Sequence, residues 1–507
     1  MSAVRPVIDP QDRPSSTSAA PTMGFTRRSV LAAGVGGVGA ATLAACVPPS
    51  AATVAPDSPQ VLAVEADRHP GTVRDFHLTA TMADVDLGGR IAATWCYNGT
   101  VPAPQLRVRA GEQVRARVTN LLPVDTSVHW HGVALRNDAD GVPYVTQPPI
   151  TPGSDFTYQF TAAEPGTYWL HPHTGVQADR GMYAVLIVED PSEPLAYDDE
   201  WTMVLDDWTD GVAATPEQVF DGLRRSTMHH HMMGAAGPTS ALLGGPGGDV
   251  AYPFYLLNGR MPTDPPTLRG RPGERIRLRM VNAAADTAFR VALGDHRLLL
   301  THTDGHAVRP VEVDAVLLGM GERYDVLVTL GDGVFPLAAI AEGKPGAAMA
   351  VVRSGGGAAP PAAAHPAELD RRLADPRALQ ATERQVLHPR APDRALRLAL
   401  TGGMMSYDWG IDGRHDEHGA VAYLVEAGER VRVDYTNRTM MFHPMHFHGH
   451  AFALGATDGP RKDTVVVRPG ETVTTLFDAD NPGRWMIHCH NAYHAEAGMM
   501  ALLGYRL

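Results

Sequence analysis

Short runs of alternating apolar and polar residues dominate the chain, and turns rich in glycine and proline separate them. Neighbouring side chains of a strand point to opposite faces, so this alternation predicts half-buried strands. Few stretches carry the spacing of an amphipathic helix. The pattern therefore predicts an all-β protein made of sandwich domains.

One strand pattern occurs three times along the chain. The copies are V-R-A-G-E-Q-V-R-A-R-V-T-N (108–120), G-R-P-G-E-R-I-R-L-R-M-V-N (270–282) and V-E-A-G-E-R-V-R-V-D-Y-T-N (425–437). Each is a Gly-Glu turn followed by an alternating run, and an internal repeat indicates homologous units. The predicted boundaries are a signal at 1–46, a linker at 47–70, units at 71–192 and 193–355, a linker at 356–394 and a third unit at 395–507.

Composition narrows the class of protein. A chain of 507 residues with 44% hydrophobic content can hold several globular domains. The net charge of −13 argues against binding to nucleic acid. The three cysteines are Cys46, Cys96 and Cys489, too few for a disulfide framework once two of them are assigned below. Cys96 is interpreted as a small buried residue of a strand.

The N-terminus carries a targeting signal. The stretch T-R-R-S-V-L (26–31) is a twin-arginine pattern, and an Ala/Gly-rich run follows it to residue 45. L-A-A-C (43–46) resembles a bacterial lipobox with Cys46 as the acylated residue. We therefore expect export and a lipid anchor on the outer face of the cytoplasmic membrane. Cleavage near residue 45, giving a soluble secreted or periplasmic protein, is the alternative, and no other membrane-spanning segment is predicted.

Histidine pairs recur at fixed offsets from the turn glycines of the repeat. Counted from Gly111 and from Gly428, histidines stand at +18, +20, +60 and +62 in both outer units. They are His129, His131, His171 and His173 in the first unit, and His446, His448, His488 and His490 in the third. The middle unit has Val291 and Gly333 at +18 and +60. The spacing predicts a metal cluster at a pseudo-symmetric interface of the outer units, with the middle unit as a spacer.

The third unit carries a second set of metal-binding residues, in W-M-I-H-C-H-N-A-Y-H-A-E-A-G-M-M (485–500). In a strand, Cys489 faces away from its two histidine neighbours. The set that only this unit has is His443, Cys489, His494 and Met499. Two imidazoles, a thiolate and a weak axial thioether are typical of a blue-copper electron-transfer site. One strand would therefore serve two metal sites.

These motifs resemble those of the multicopper oxidases, in particular the three-domain laccase-like enzymes and the bacterial copper-tolerance oxidases. The matching stretches are H-W-H-G (129–132), H-P-H-T (171–174), H-P-M-H-F-H-G (443–449) and H-C-H-x₃-H-x₄-M (488–499). The resemblance runs from about residue 70 to the end of the chain. It implies three consecutive cupredoxin-like Greek-key β-sandwich domains and four copper ions: one type 1, one type 2 and a type 3 pair.

The resemblance also implies a role for each ligand. The type 1 copper takes His443, Cys489, His494 and axial Met499; the type 2 copper takes His129 and His446; the type 3 pair takes His131, His171, His173, His448, His488 and His490. Electrons from substrate would pass through Cys489, His488 and His490, and dioxygen would be reduced to water.

Oxygen reduction consumes protons, so carboxylates near the cluster matter. Asp140, in N-D-A-D-G-V-P, stands where relatives keep an acidic residue for proton delivery. The alternative is a turn aspartate before a glycine. Many bacterial relatives also have a glutamate directly after the last type 1 histidine, where this chain has Ala495, with Glu496 one step on.

Two groups of methionine and histidine residues indicate a metal ion as the substrate. M-H-H-H-M-M (228–233) is a soft-ligand cluster (Met228, His229, His230, His231, Met232 and Met233) in a Gly-rich stretch, and Met440 and Met441 precede the type 1 histidine His443. The leading hypothesis is an exported copper-tolerance oxidase that oxidises Cu(I), Fe(II) and small phenols with dioxygen. A disordered loop and core methionines are the alternatives for the two features. A phenol-specific laccase and a non-catalytic copper storage or delivery protein are the alternatives for the function, and no oligomeric state is predicted.

Overall fold

The computed structural model describes residues 52–225, 239–415 and 419–507. The predicted signal, the acylation site at Cys46 and the Met/His segment 228–233 lie outside the described residues. Among the helices of the described ranges, none is both long and apolar enough to cross a membrane.

Strands and loops make up most of the described chain, which confirms the all-β prediction. The strands are β1 (Val73–Asp86), β2 (Ile91–Tyr97), β3 (Leu106–Arg109), β4 (Gln113–Asn120), β5 (His129–His131), β6 (Asp155–Thr161), β7 (Gly166–His171), β8 (Ala184–Glu189), β9 (Asp199–Trp208), β10 (Thr239–Ser240), β11 (Gly245–Pro246), β12 (Phe254–Leu257), β13 (Thr267–Arg269), β14 (Arg275–Asn282), β15 (Phe289–Leu293), β16 (Leu298–Thr303), β17 (His306–Val313), β18 (Val316–Leu318), β19 (Arg323–Thr329), β20 (Val334–Ala341), β21 (Ala347–Arg353), β22 (Arg394–Thr401), β23 (Gly410–Ile411), β24 (Val421–Val425), β25 (Arg430–Asn437), β26 (His443–Phe447), β27 (Phe452–Leu454), β28 (Arg461–Lys462), β29 (Thr464–Val467), β30 (Thr472–Asp478), β31 (Arg484–Cys489) and β32 (Met500–Tyr505). The α-helices are α1 (Pro59–Asp67), α2 (Pro216–Arg225) and α3 (Ala492–Glu496), and 3₁₀ turns cover Asn137–Ala139, Gln177–Asp179, Ala367–Asp370 and Pro376–Ala378.

The strands form three consecutive sandwiches of two sheets each. The sheet orders are β2-β1-β4-β6 and β3-β8-β7-β5 in the first, β12-β9-β14-β19-β16-β17 and β13-β21-β20-β15-β18 in the second, and β23-β22-β25-β30-β27-β28 and β24-β32-β31-β26-β29 in the third. The repeat strands β4, β14 and β25 hold equivalent places, each between a parallel and an antiparallel neighbour. The repeat found in the sequence therefore corresponds to the equivalent strand in each of the three sandwiches.

The asparagine that ends each repeat closes the loop that follows. Asn120, Asn282 and Asn437 are all buried. In each, Nδ2 donates to two backbone carbonyls at 2.7–3.0 Å, and Oδ1 accepts from the backbone N–H two residues on. These bonds fix the loop and tie it to a second segment of the chain. The loop closed by Asn437 leads directly to β26 and its histidines.

The apolar core joins the outer sandwiches. The largest buried cluster is continuous through the first and third sandwiches and includes Trp130 and Trp485, while the second sandwich has a separate core. Cys96 is fully buried in β2, as predicted. The outer sandwiches therefore share the interface on which the histidines meet.

Both predicted linkers are packed where the structure describes them. Residues 59–67 form α1, whose Val61 is fully buried in the core shared by the outer sandwiches. In 356–394, Leu369, Leu379 and Leu387 are buried. Removing these apolar side chains from water is favourable in free energy, and this burial holds both segments against the sandwiches.

Candidate metal centre

Two strand pairs place the histidines in equivalent positions of the outer sandwiches. In the first, His129 of β5 lies opposite His171 of β7. In the third, His446 of β26 lies opposite His488 of β31. The second histidine of each His-x-His motif stands two residues on: His131 is still in β5, whereas His173, His448 and His490 follow the ends of their strands. The equal offsets seen in the sequence therefore reflect one register used twice.

The eight histidines converge into one buried cluster across the two sandwiches. The Nε2 atoms of His129 and His446 are 3.4 Å apart, and those of His448 and His488 are 3.0 Å apart. Three groups have mutually close donor nitrogens, all within 4.8 Å: His129, His131 and His446; His131, His171 and His490; His173, His448 and His488. The rings of His129 and His448 stack at 3.8 Å, and those of His131 and His446 at 3.7 Å. This spacing brings three sets of nitrogens within reach of metal ions.

In six of the eight rings, hydrogen bonds select which nitrogen faces the centre. Five of the rings donate Nδ1–H to an oxygen at 2.8–3.0 Å, which leaves Nε2 as the lone-pair donor. These rings are His129, His171, His446, His448 and His488. His131 is reversed, because its Nε2 lies 3.1 Å from Asp463 Oδ1 and its Nδ1 is left as the donor. Ligand orientation is thus set without any metal.

The cluster has the properties of a metal site. In the described part of the chain, His131 Nδ1, His171 Nε2 and both nitrogens of His490 are buried without a hydrogen-bond partner. Such orphaned groups are costly unless something binds them. Burial also lowers the pKa of all three imidazoles well below the usual value, so they are neutral and able to ligate. The residues present therefore fit a multinuclear metal group.

A second donor group lies on the opposite face of β31. Cys489 Sγ is 3.6 Å from His443 Nδ1 and 3.7 Å from His494 Nδ1, and the two nitrogens are 3.0 Å apart. Met499 is fully buried, and its carbonyl accepts from Cys489 N–H at 3.0 Å. A thiolate with two imidazoles fits one copper ion, and the backbone contact brings Met499 next to Cys489.

The local sequence explains how His494 returns to Cys489. Strand β31 ends at Cys489, and the Asn491 side chain then accepts from the backbone N–H groups of Tyr493 and His494. An asparagine in this position is a helix N-cap. The short helix α3 turns the chain back, so that His494 reaches the cysteine five residues before it.

Three residues around the second group were not predicted from the sequence. Asp249 Oδ2 lies 2.9 Å from His494 Nε2, Thr439 Oγ1 lies 2.8 Å from His443 Nε2, and the Trp409 ring lies 4.3 Å from that of His494. Although burial opposes the charged form, the Asp249 carboxylate raises the pKa of His494 to about 10. Asp249 comes from the middle unit, and nothing in its G-G-D-V context marks it as a neighbour of His494.

The other singled-out residues occupy distinct places. Asp140 is buried, with Oδ2 3.0 Å from His448 Nδ1 and its carbonyl 2.8 Å from His129 Nδ1. Met441 is buried in the core, whereas Met440 is 79% exposed. A cavity of about 700 Å³ reaches the eight-histidine cluster, and Glu496 and Ala495 line it beside His171, His173, His488 and His490. Asp140 therefore contacts two cluster histidines directly, whereas Glu496 lines the cavity that reaches the cluster.

Comparison with known proteins gives one family along the described chain. Three family models, each described as multicopper oxidase, match residues 79–193, 199–357 and 389–505. The chain is 46% identical to the multicopper oxidase MmcO of Mycobacterium tuberculosis, over 95% of this chain and 97% of that one. It is 29% identical to copper resistance protein A of Pseudomonas syringae pv. tomato, over 84% of this chain and 91% of that one.

A solved structure shares the fold. The multicopper oxidase Fet3p, described as functioning in iron import, superposes with a TM-score of 0.73 at 24% identity, over 85% of this chain and 90% of that one. At this level of identity the likeness concerns the fold, and it confirms three cupredoxin-like domains.

Proposed function

We propose that this chain, which belongs to the multicopper oxidase family, is an exported copper-tolerance oxidase that oxidises Cu(I), Fe(II) and small phenols. Family membership makes it an oxidoreductase with four copper ions, one type 1, one type 2 and a type 3 pair. The proposal adds the ligands, the substrate class, and export with a lipid anchor at Cys46.

The ligand assignment follows the two donor groups. His443, Cys489, His494 and Met499 hold the type 1 copper, His129 and His446 hold the type 2 copper, and the type 3 ions take His131, His171 and His490 on one side and His173, His448 and His488 on the other. The close donor groups support this division. His131 Nδ1 is given to the type 3 pair because its neighbours His171 and His490 also carry unpartnered nitrogens.

One observation carries the oxidase proposal: H-C-H at the end of β31 belongs to both donor groups. Cys489 lies within 3.7 Å of the type 1 histidines, while His488 and His490 belong to the eight-histidine cluster. When bound, the type 1 copper accepts single electrons and the three-copper group delivers four of them, with four protons, to dioxygen to give two waters. The backbone and side chains of residues 488–490 connect the two groups by covalent bonds alone.

The protein supplies a dry and accessible site for that chemistry. Every ligand of the type 1 group is fully buried, so a reductant reaches it only through a layer of protein. The cavity that reaches the cluster histidines is a path by which dioxygen could enter, and Cys489 also lines it.

Asp140 is proposed to hold and deliver a proton. Its Oδ1 is buried and, among the described residues, lacks a hydrogen-bond partner, while Oδ2 accepts from His448. A carboxylate so placed can hold a proton at one oxygen while the other keeps His448 in position. This is more than the turn role that the Asp-Gly sequence requires by itself.

Two features support Cu(I) as a reductant. Met440 is exposed on the turn whose Thr439 binds His443, so a soft thioether stands at the surface beside the type 1 group. The Met/His segment 228–233 offers more soft ligands. Asp249, which follows this segment in the sequence, contacts His494 of the type 1 group. The similarity to copper resistance protein A also supports Cu(I) as a reductant.

The proposal is tested by oxygen uptake with the copper-loaded, signal-free protein. Cu(I), Fe(II) and dimethoxyphenol are supplied in separate runs, and peroxide is followed in the same cell. Uptake of one dioxygen per four electrons without peroxide supports the oxidase, and faster uptake with Cu(I) supports the copper-tolerance role. Faster uptake with the phenol would favour a laccase, and no uptake by protein holding four coppers would favour a copper carrier.

The role of 228–233 needs a matched pair of variants. In the first, the three methionines and three histidines become serine and glutamine, which keeps the chain length. In the second, the exposed Met404 and Met405 become leucine. We expect the first variant to slow Cu(I) oxidation several-fold without changing phenol oxidation, and the second to change neither. An unaltered Cu(I) rate in the first variant would exclude a role for the segment.

A further inference from the structure

A loop of the second sandwich lies against the eight-histidine cluster. It comprises residues 319–323, that is, the turn after β18 and the first residue of β19. A Cβ built on Gly321 would be 2.9 Å from both His131 Cε1 and His490 Cδ2. Gly321 also has φ +85°, which side chains other than glycine rarely adopt. The backbone of this loop therefore forms a wall of the cluster, and only glycine fits there.

Arg323, at the end of that loop, joins all three sandwiches. Its guanidinium is fully buried and donates to both carboxylate oxygens of Asp463 in the third sandwich, at 2.8 and 2.6 Å. Its Nε donates to the Thr167 carbonyl of the first sandwich at 3.1 Å. Two parallel N–H···O bonds fix a carboxylate in its plane as well as in its position.

Asp463 passes that orientation on to two cluster histidines. Its Oδ1 lies 3.1 Å from His131 Nε2, and its carbonyl lies 3.0 Å from His446 Nδ1. His131 faces the centre with Nδ1 because Nε2 is held by this carboxylate. Without Arg323, the carboxylate would lose both guanidinium contacts and keep only the Thr464 hydroxyl, which donates to Oδ1 at 2.9 Å, so the contact that selects the ligating nitrogen of His131 would be weakened.

The H-W-H-G motif is shaped for the same contact. A Cβ on Gly132 would collide with Arg323 Nη2 and Asp463 Oδ2. The glycine after His131 therefore makes room for the ion pair from the other two sandwiches. Three separate observations, at Gly321, Arg323 and Gly132, place the second sandwich in contact with the cluster.

We propose that the 319–323 loop completes the three-copper site, with Arg323 as the positioning residue that orients His131 and His446 through Asp463. The second sandwich is then more than the spacer that its lack of the repeated His-x-His pairs suggests. This inference rests on the ligand assignment proposed above.

The first test compares Arg323→Gln with Arg277→Gln. Arg277 is a matched control, because it is also buried in the second sandwich and donates through Nε and Nη2 to a buried carboxylate, that of Asp325. We expect Arg323→Gln to weaken copper retention at the three-copper site 10–100-fold and to change the type 2 paramagnetic resonance spectrum, with the blue type 1 absorption kept. Arg277→Gln should leave copper retention, the type 2 spectrum and the blue absorption unchanged. Arg323→Lys keeps the charge but cannot donate two parallel hydrogen bonds, so its copper retention should lie between those of the wild type and Arg323→Gln.

The second test does not depend on the stability of an arginine variant. Gly321→Ala is compared with Gly273→Ala, whose φ of +84° is nearly the same and whose Cβ would meet nothing within 4 Å. Only Gly321→Ala should alter the type 2 and type 3 spectra. Equal effects in the two glycine variants, or a type 2 spectrum unchanged in Arg323→Gln, would overturn the proposal. Loss of type 1 and type 2 signals together in Arg323→Gln would also overturn it, whereas wild-type protein without four coppers or oxygen uptake would instead refute the proposed function.

Discussion

The carboxylate of Asp249 should lower the reduction potential of the type 1 copper, and Asp249→Asn should raise it. Asp249 Oδ2 accepts from Nε2–H of His494, whose Nδ1 faces Cys489. A nearby negative charge stabilises the more positive, oxidised metal. Asparagine keeps an oxygen acceptor for the imidazole and removes only the charge, so the substitution isolates the electrostatic effect.

The size of the effect follows from the distance. With Nε2 and Oδ2 at 2.9 Å and a metal about 2 Å from Nδ1, the charge lies roughly 7 Å from the metal. At an effective dielectric constant of about 20, two unit charges at roughly 7 Å interact by about 2.4 kcal/mol. For one electron this corresponds to about 100 mV, which is the expected upward shift.

A redox titration of the blue absorption measures this shift directly. The matched control is Tyr407→Phe, which removes the hydroxyl that donates to the same Asp249 oxygen at 2.9 Å and leaves the charge. That variant should shift the potential by far less, and downwards, because the carboxylate becomes less neutralised. An unchanged or lower potential in Asp249→Asn would refute the electrostatic reasoning.

Three further outcomes follow from the structure. Asn437→Ala should lower the free energy of unfolding of the metal-free protein by roughly 1–3 kcal/mol, because it removes two buried hydrogen bonds, those from Nδ2 to the carbonyls of Met441 and Val467; a loss under about 0.5 kcal/mol in urea titrations would contradict this. Asp140→Asn should slow dioxygen reduction about 10–100-fold with the copper content kept, and loss of copper instead would indicate a positioning role. In the metal-free protein, burial lowers the pKa of His302 to about 4 and of His306 to about 3. Both folded-state values lie below the usual value of about 6.5, so unfolding titrations should show stability falling as the pH drops from about 6.5 towards 4, and a flat profile would contradict this.

The strands and the matching of the two histidine sets could be predicted from the sequence because both depend on local geometry. Alternation reports which face of a strand is buried, and the offsets of His129 and His446 from their turn glycines reflect one register used in two sandwiches. Cys489 between two histidines must face away from them in any strand. These features need no knowledge of distant residues.

Elements without a repeating pattern were not predictable in the same way. The segment before the first sandwich reads as a linker, but α1 buries Val61 in a core that other parts of the chain create. Met440 and Met441 are chemically identical neighbours, and only the turn closed by Asn437 decides that the first is exposed and the second buried.

The sequence by itself determined the candidate metal donors, namely the histidine pairs of the outer units and the cysteine that faces away from its histidine neighbours. Only the tertiary structure decided the partners that orient those donors: Asp249 at His494, and Asp463 with Arg323 at His131. These partners come from 140 to 332 positions away along the chain. Hydrogen bonds and ion pairs act over a few ångströms in space. The residues that form them can lie far apart along the chain, so no periodic pattern in the sequence reveals which of them the fold brings together.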